Sequence, residues 1–166
     1  MELRFEVKMK IQKPVAEVFD AVRDPDKLSG YFTTGGASAF IAEGTTVQWA
    51  FSDNPGDEKN SFPVKIEKAV PNKLIVLAWE GAPGRDTRVE FNFEPSGEEE
   101  TIVSISESGW EENQEELDRS YMNCFGWGQF LCCLKAYTEY GINLRDGAFS
   151  GLYPSSDETN TSSQTA

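Results

Sequence analysis

The 166-residue sequence contains no histidine. That removes the commonest general base, the Ser-His and Cys-His nucleophile pairs, and most zinc sites. Cysteine is scarce: Cys124, Cys132 and Cys133 are the three in the chain, and none stands at metal-site spacing from another. They fall within a helical pattern, where packing as small hydrophobes is favoured over a nucleophilic role. Cationic side chains are in deficit, 15 Lys and Arg against 28 Asp and Glu, for a formal net charge of −13. Nucleic acid and anionic membrane surfaces need clustered cations, so neither is an expected partner. The acids gather at 53–58, 98–100 and 111–118 and read as solvated surface. Long apolar runs are also missing. No stretch approaches the ~18 residues of a membrane span, and the first residues lack a signal-peptide layout, so no membrane insertion and a cytoplasmic location are expected. Gly35-Gly36 lacks the spacing and the lysine of a phosphate loop. No metal and no cofactor is expected.

Hydrophobic residues make up 39% of the chain and aromatics 12%, enough for one core without disulfides at this length. Leu3, Phe5, Val7, Met9 and Ile11 alternate with Glu2, Arg4, Glu6, Lys8 and Lys10, which predicts a half-buried first strand. Pro14 suits a helix start, and Val15, Val18, Phe19 and Val22 form the apolar stripe of a short helix. Asp24-Pro25 is a cap followed by an opening proline, predicting a second short helix that carries Leu28 towards Tyr31 and Phe32. Thr33 to Ser38 is glycine-rich and reads as a loop or irregular edge. Period-two segments follow at Val47-Trp49-Phe51, Phe62-Val64-Ile66, Ile75-Leu77-Trp79, Val89-Phe91-Phe93 and Val103-Ile105. Turns at Pro71-Asn72, 81–84 and 95–100 separate the later ones, as in an antiparallel meander. A long helix begins at Asn113, whose spacing to Glu116 fits a capping box, and ends at Gly141. Its expected inward face holds Leu117, Tyr121, Cys124, Gly128, Leu131 and Thr138, flanked by Phe125, Trp127 and Leu134. Residues 1–150 form the expected domain. Residues 151–166 are a polar tail expected to be disordered.

The order of these elements predicts an α+β fold, a curved antiparallel sheet of six or seven strands around a long C-terminal helix with two short helices after the first strand, and the resemblance set out next implies that it is a helix-grip fold. Local phrases carry the likeness further. They include Ile11 to Pro14, Val18 to Val22, Asp24 to Leu28, Leu74 to Glu80, Val89 to Pro95, Glu107 to Trp110, and the stretch from Gly126 to Ile142. Over residues 3 to about 145 the chain resembles the SRPBCC (START-like) superfamily. Within it, the chain is similar to the AHSA-type branch, homologues of the activator of the heat-shock-protein-90 ATPase. It departs from that pattern at Tyr31-Phe32, where the family often has Trp-Phe, and in a longer, more acidic loop at 52–61. The resemblance implies an internal cavity, used across the superfamily for lipids, polyketides and other apolar or aromatic metabolites. It also implies two alternatives: a cyclase-like or hydrolase-like enzyme using that cavity, or a chaperone partner.

Alternation directs Trp49, Phe51, Trp79, Phe91 and Phe93 inward, and from the helix Tyr121, Phe125, Trp127 and Leu131 are expected to face them. These residues are the candidate ligand contacts, and a solid aromatic core is the competing reading. Gly126 and Gly128 flank Trp127 at a cost of about 1 kcal/mol each relative to Ala. Close sheet-to-helix approach and room for a ligand are equal explanations. Glu107 continues the inward alternation of Val103 and Ile105, and an inward carboxyl needs partners. It is expected to anchor a polar ligand group or act as a general acid or base, with Tyr31 and Tyr121 as companions. The competing reading is a strand end open to water or a backbone cap.

Overall fold

The computed structural model describes residues 1–54 and 60–152. The expected disorder of the tail from Pro154, and the part of the acidic loop at 55–59, lie outside the described residues. The elements are β1 (Leu3–Ile11), α1 (Val15–Arg23), α2 (Pro25–Leu28), β2 (Gly36–Ala37), β3 (Thr46–Phe51), β4 (Asn60–Val70), β5 (Leu74–Ala82), β6 (Arg85–Pro95), β7 (Thr101–Trp110) and α3 (Gln114–Tyr140). Seven antiparallel strands form one sheet in the order β1-β7-β6-β5-β4-β3-β2. The meander places consecutive strands side by side, and β1 closes onto β7 with Phe5 opposite Glu107. The glycine-rich segment after α2 is an edge strand of two residues, Gly36–Ala37 against Trp49 and Ala50. A Cβ on Gly35 would meet the Ala50 backbone at 2.8 Å, so only glycine allows this approach.

The caps follow local chemistry. Asp24 accepts hydrogen bonds from the Asp26 and Lys27 amides at the start of α2. Asn113 accepts from the Glu116 amide at 2.9 Å at the start of α3. Only half of the predicted capping box forms, because the Glu116 carboxyl turns to Arg85 Nη1 and the Glu111 amide instead. Gly141 ends α3 in the left-handed region, φ 66°, donating to the Tyr137 carbonyl.

The core lies between the concave face of the sheet and α3, closed at one side by α1 and α2. Ile11, Val64, Ile75, Leu77, Val89, Phe91, Val103, Ile105 and Leu134 are fully buried there. Each strand contributes every second residue, as the alternation required. The inward face of α3 differs from the expectation. Glu116, Ser120, Trp127, Phe130, Leu131 and Leu134 are buried, while Tyr121 and Phe125 are 63% and 56% exposed. The helix is rotated by about a quarter turn, roughly 100°, from the face that a count of apolar residues selects. The reason is chemical: polar groups of the sheet take polar side chains of its first half, Arg85 bonding Glu116 and the buried carboxyl of Glu107 bonding Asn123.

Candidate functional site

The interior has two chemically distinct regions. The first is built around Glu107, which is completely buried. Two antiparallel pairings bring it opposite Phe5 on β1 and Val89 on β6. Thr87, two residues before Val89, therefore shares its face, and Trp79 stands opposite Thr87 on β5. From α3, Asn123 and Trp127 are one turn apart and reach the same point. Oε1 accepts from Thr87 Oγ1 at 2.6 Å, Trp79 Nε1 at 2.9 Å and Asn123 Nδ2 at 3.1 Å. Oε2 accepts from Trp127 Nε1 at 2.7 Å. One carboxyl thus satisfies four donors and ties β5, β6 and β7 to α3, as a buried polar group must be satisfied. Gly81 belongs to this arrangement as well. It sits at a register shift in β5, and a Cβ there would run into the Thr87 side chain.

The second region is aromatic. Trp127 lies 5.3 Å from the ring centres of both Trp79 and Phe91, and 5.5 Å from Phe130. Phe32 packs edge-on against Phe130 at 4.7 Å, Phe51 at 5.1 Å and Trp49 at 5.5 Å. These separations are those of favourable offset and edge-to-face pairs. Trp49 is 1% exposed, yet its Nε1 has no hydrogen-bond partner among the described residues. Trp110 Nε1 is also unpartnered, but it belongs to a separate small cluster with Leu3 and Ala82.

Of the residues singled out from sequence, Trp49, Phe51, Trp79, Phe91, Glu107 and Trp127 form one connected network. Leu131 is buried beside it, and Phe93 packs instead against Phe19 of α1 at 5.1 Å. Tyr121 and Phe125 are corrected: both face outward from α3 and touch none of this interior face. Tyr31 is not a companion of Glu107 either, since its hydroxyl donates to the Ala21 carbonyl at 3.1 Å. Burial pushes that hydroxyl well above the ordinary tyrosine range. Close sheet-to-helix approach does not explain Gly126 and Gly128, because a Cβ on either would meet nothing within 4 Å.

Sequence reasoning missed Thr87, Asn123, Phe130 and Phe32. The first three carried a usable signal. Glu116, Ser120, Asn123, Trp127, Phe130 and Leu134 recur at spacings of four and three, a helical stripe visible once polar residues are counted. Thr87 sits two before Val89 on an alternating strand. Among the described residues no cluster of acidic or cysteine side chains is arranged to hold a metal, and no helix is long and apolar enough to cross a membrane.

A wrapped sheet gripping one long helix over this interior is shared with known proteins, and residues 12–139 match the profile described as Activator of Hsp90 ATPase homolog 1-like protein. The chain belongs to that family. Among solved structures, SSP2350 from Staphylococcus saprophyticus is 24% identical with a TM-score of 0.72, covering 86% of this chain and 96% of that one. The Aha1 dimer from Colwellia psychrerythraea is 24% identical at a TM-score of 0.68, covering 84% and 98%. DynU16, a protein of the dynemicin biosynthetic locus, is 23% identical at 0.70 over 83% of this chain, which spans only 48% of DynU16. At such identities the likeness carries the fold. No curated protein matches the chain.

Proposed function

We propose that this AHSA1-like chain binds an apolar or aromatic small molecule between the sheet and α3, at the aromatic region around Trp49. The observation that carries this reading is Trp49 Nε1. A buried N–H without a partner costs about 1–3 kcal/mol, and native cores keep few of them. A ligand carrying an oxygen acceptor on a flat apolar body would satisfy the indole and stack on Phe32, Phe51 and Trp79.

The same geometry gives an acid/base enzyme less support. Both oxygens of Glu107 already accept hydrogen bonds from the protein's own side chains, so its role reads as structural.

The test is a screen of aromatic carbonyl compounds against their hydrocarbon parents, following tryptophan fluorescence and melting temperature. A ligand at 100 times its Kd adds about 2.7 kcal/mol to stability. Trp49→Phe is expected to weaken the carbonyl compounds about tenfold and leave the hydrocarbons unchanged. No melting shift with any compound refutes the reading.

A second reading, contact with a chaperone ATPase, is favoured by one observation: Tyr121, Met122 and Phe125 stand exposed on the outer face of α3, where a partner would cover them. Stimulation of the Hsp90 ATPase that is lost on Phe125→Ser supports it, and no stimulation by the unaltered chain refutes it.

A further inference from the structure

Beyond Gly141 the chain turns back across the molecule. Arg145 Nε and Nη2 each donate to Asp53, just past the end of β3, at 2.9 Å. The Gly151 amide donates to Asn54 Oδ1 at 2.8 Å. The Arg145 guanidinium also lies over three rings, 4.7 Å from Phe149, 4.9 Å from Phe51 and 5.7 Å from Phe32. Its side chain is 16% exposed. Phe32 in turn packs on Trp49. The segment after α3 therefore covers the aromatic region, with a flat cation seated on the rings that a flat ligand would use. Asp53 is held in place from a third direction: Thr34 Oγ1 donates to it at 3.3 Å and accepts from the Ser52 amide at 2.8 Å.

The way this segment is held distinguishes it from the rest of the fold. Ile142, Leu144 and Leu152 are 50%, 49% and 67% exposed, so of the segment's large apolar side chains only Phe149, which is half-buried, adds much buried area. A bidentate ion pair on an aromatic bed supplies the attachment instead. Segments held by polar bonds over little buried apolar surface open at a small fraction of the global unfolding free energy.

We propose that residues 142–152 are a strap that opens and closes over the aromatic region, with the Arg145–Asp53 pair as its latch, and that ligand enters beneath it. The entry step rests on the small-molecule reading above; the motion of the strap does not.

Cys133 gives a readout of opening that needs no ligand. It is 7% exposed, and burial raises its thiol above the ordinary range while the nearby Arg145 charge pulls it part of the way back. In a Cys124→Ser, Cys132→Ser background it is the one remaining thiol, and its nearness to the Arg145 charge means that opening of the strap is expected to admit a bulky maleimide to it. Arg145→Gln and Asp53→Asn are each expected to speed its modification about tenfold. Loss of the arginine charge by itself makes the thiol harder to ionise and would slow the reaction, so acceleration in Arg145→Gln reports access. Raising salt from roughly 0.05 to 0.5 M is expected to accelerate the unaltered latch. Unchanged rates in both single variants with native melting temperatures overturn the proposal. So does the absence of any salt effect, which decides the matter if the single variants unfold.

Uptake of N-phenylnaphthylamine, a neutral fluorescent probe, tests the entry step. Faster uptake in Arg145→Gln supports a gate. Equal uptake alongside faster Cys133 modification means that the strap moves but does not gate, and overturns that part. No uptake by any variant, together with no melting shift in the carbonyl screen, defeats the small-molecule reading, and the Cys133 rates still decide the strap.

Discussion

Replacing Glu107 by glutamine keeps the volume and removes one of the two accepting oxygens. The amide can keep its oxygen at the Oε1 position, where Thr87, Trp79 and Asn123 converge, and place its NH2 at Oε2. There it faces Trp127 Nε1–H, which stands 2.7 Å from that position and now has no acceptor. The opposite orientation sets the NH2 against three donors and is worse. Two buried donors facing each other, at about 1–3 kcal/mol each, give an expected loss of about 2–6 kcal/mol. At this chain length that is a fall in melting temperature of roughly 4–24 °C. Thermal and urea unfolding followed by tryptophan fluorescence measure it. A double-mutant cycle isolates the cause, because in a Trp127→Phe background the opposed donor is gone. The cost of Glu107→Gln is expected to shrink there by about 1–3 kcal/mol. A melting shift below about 2 °C, or a coupling energy near zero, would refute the claim that Glu107 fastens α3 to the sheet.

Other outcomes follow from the same contacts. Gly126→Ala and Gly128→Ala are each expected to stabilise by up to about 1 kcal/mol, since the added methyl meets open space and helix propensity improves. A loss in chemical denaturation would contradict this. Gly81→Ala is expected to cost about 1–3 kcal/mol by driving into Thr87, and less than additively with Glu107→Gln because both disturb one network. Tyr31→Phe removes the bond to the Ala21 carbonyl, at about 1 kcal/mol near neutral pH. It should also flatten the alkaline limb of the stability profile. Burial raises Tyr31 above its unfolded value, so its contribution is fully present below about pH 10 and is lost as pH rises beyond it. Urea unfolding of both proteins between about pH 8 and 11 shows whether the difference narrows as that linkage requires.

Much of this molecule is legible in the linear sequence because the signals are local. A strand alternates because successive side chains point to opposite faces, so Trp49, Phe91, Val103 and even Glu107 could be turned inward by counting in twos. Asp24, Asn113 and Gly141 act within one helical turn of themselves, and their caps formed at those positions. The error on α3 came from a rule that is correct on average. Apolar residues mark the buried face only where the opposing surface is apolar, and against the first half of α3 the sheet presents Arg85 and the carboxyl of Glu107. Glu116 and Asn123 therefore turn inward, while Tyr121 and Phe125 stand in solvent. The polar stripe is visible in the sequence, but the groups that bury it lie 16 and 31 residues away on other elements. The same holds for the Arg145–Asp53 pair, 92 residues apart, and for Trp49, whose burial without an acceptor among the described residues is a property of the assembled interior. The sequence by itself determined which elements form, where they stop and which strand residues face in, since backbone geometry imposes those choices one residue at a time. Tertiary structure alone decided which face of the helix meets the sheet, which donors share one carboxyl and which indole is left without a partner, since these depend on groups brought together only by folding.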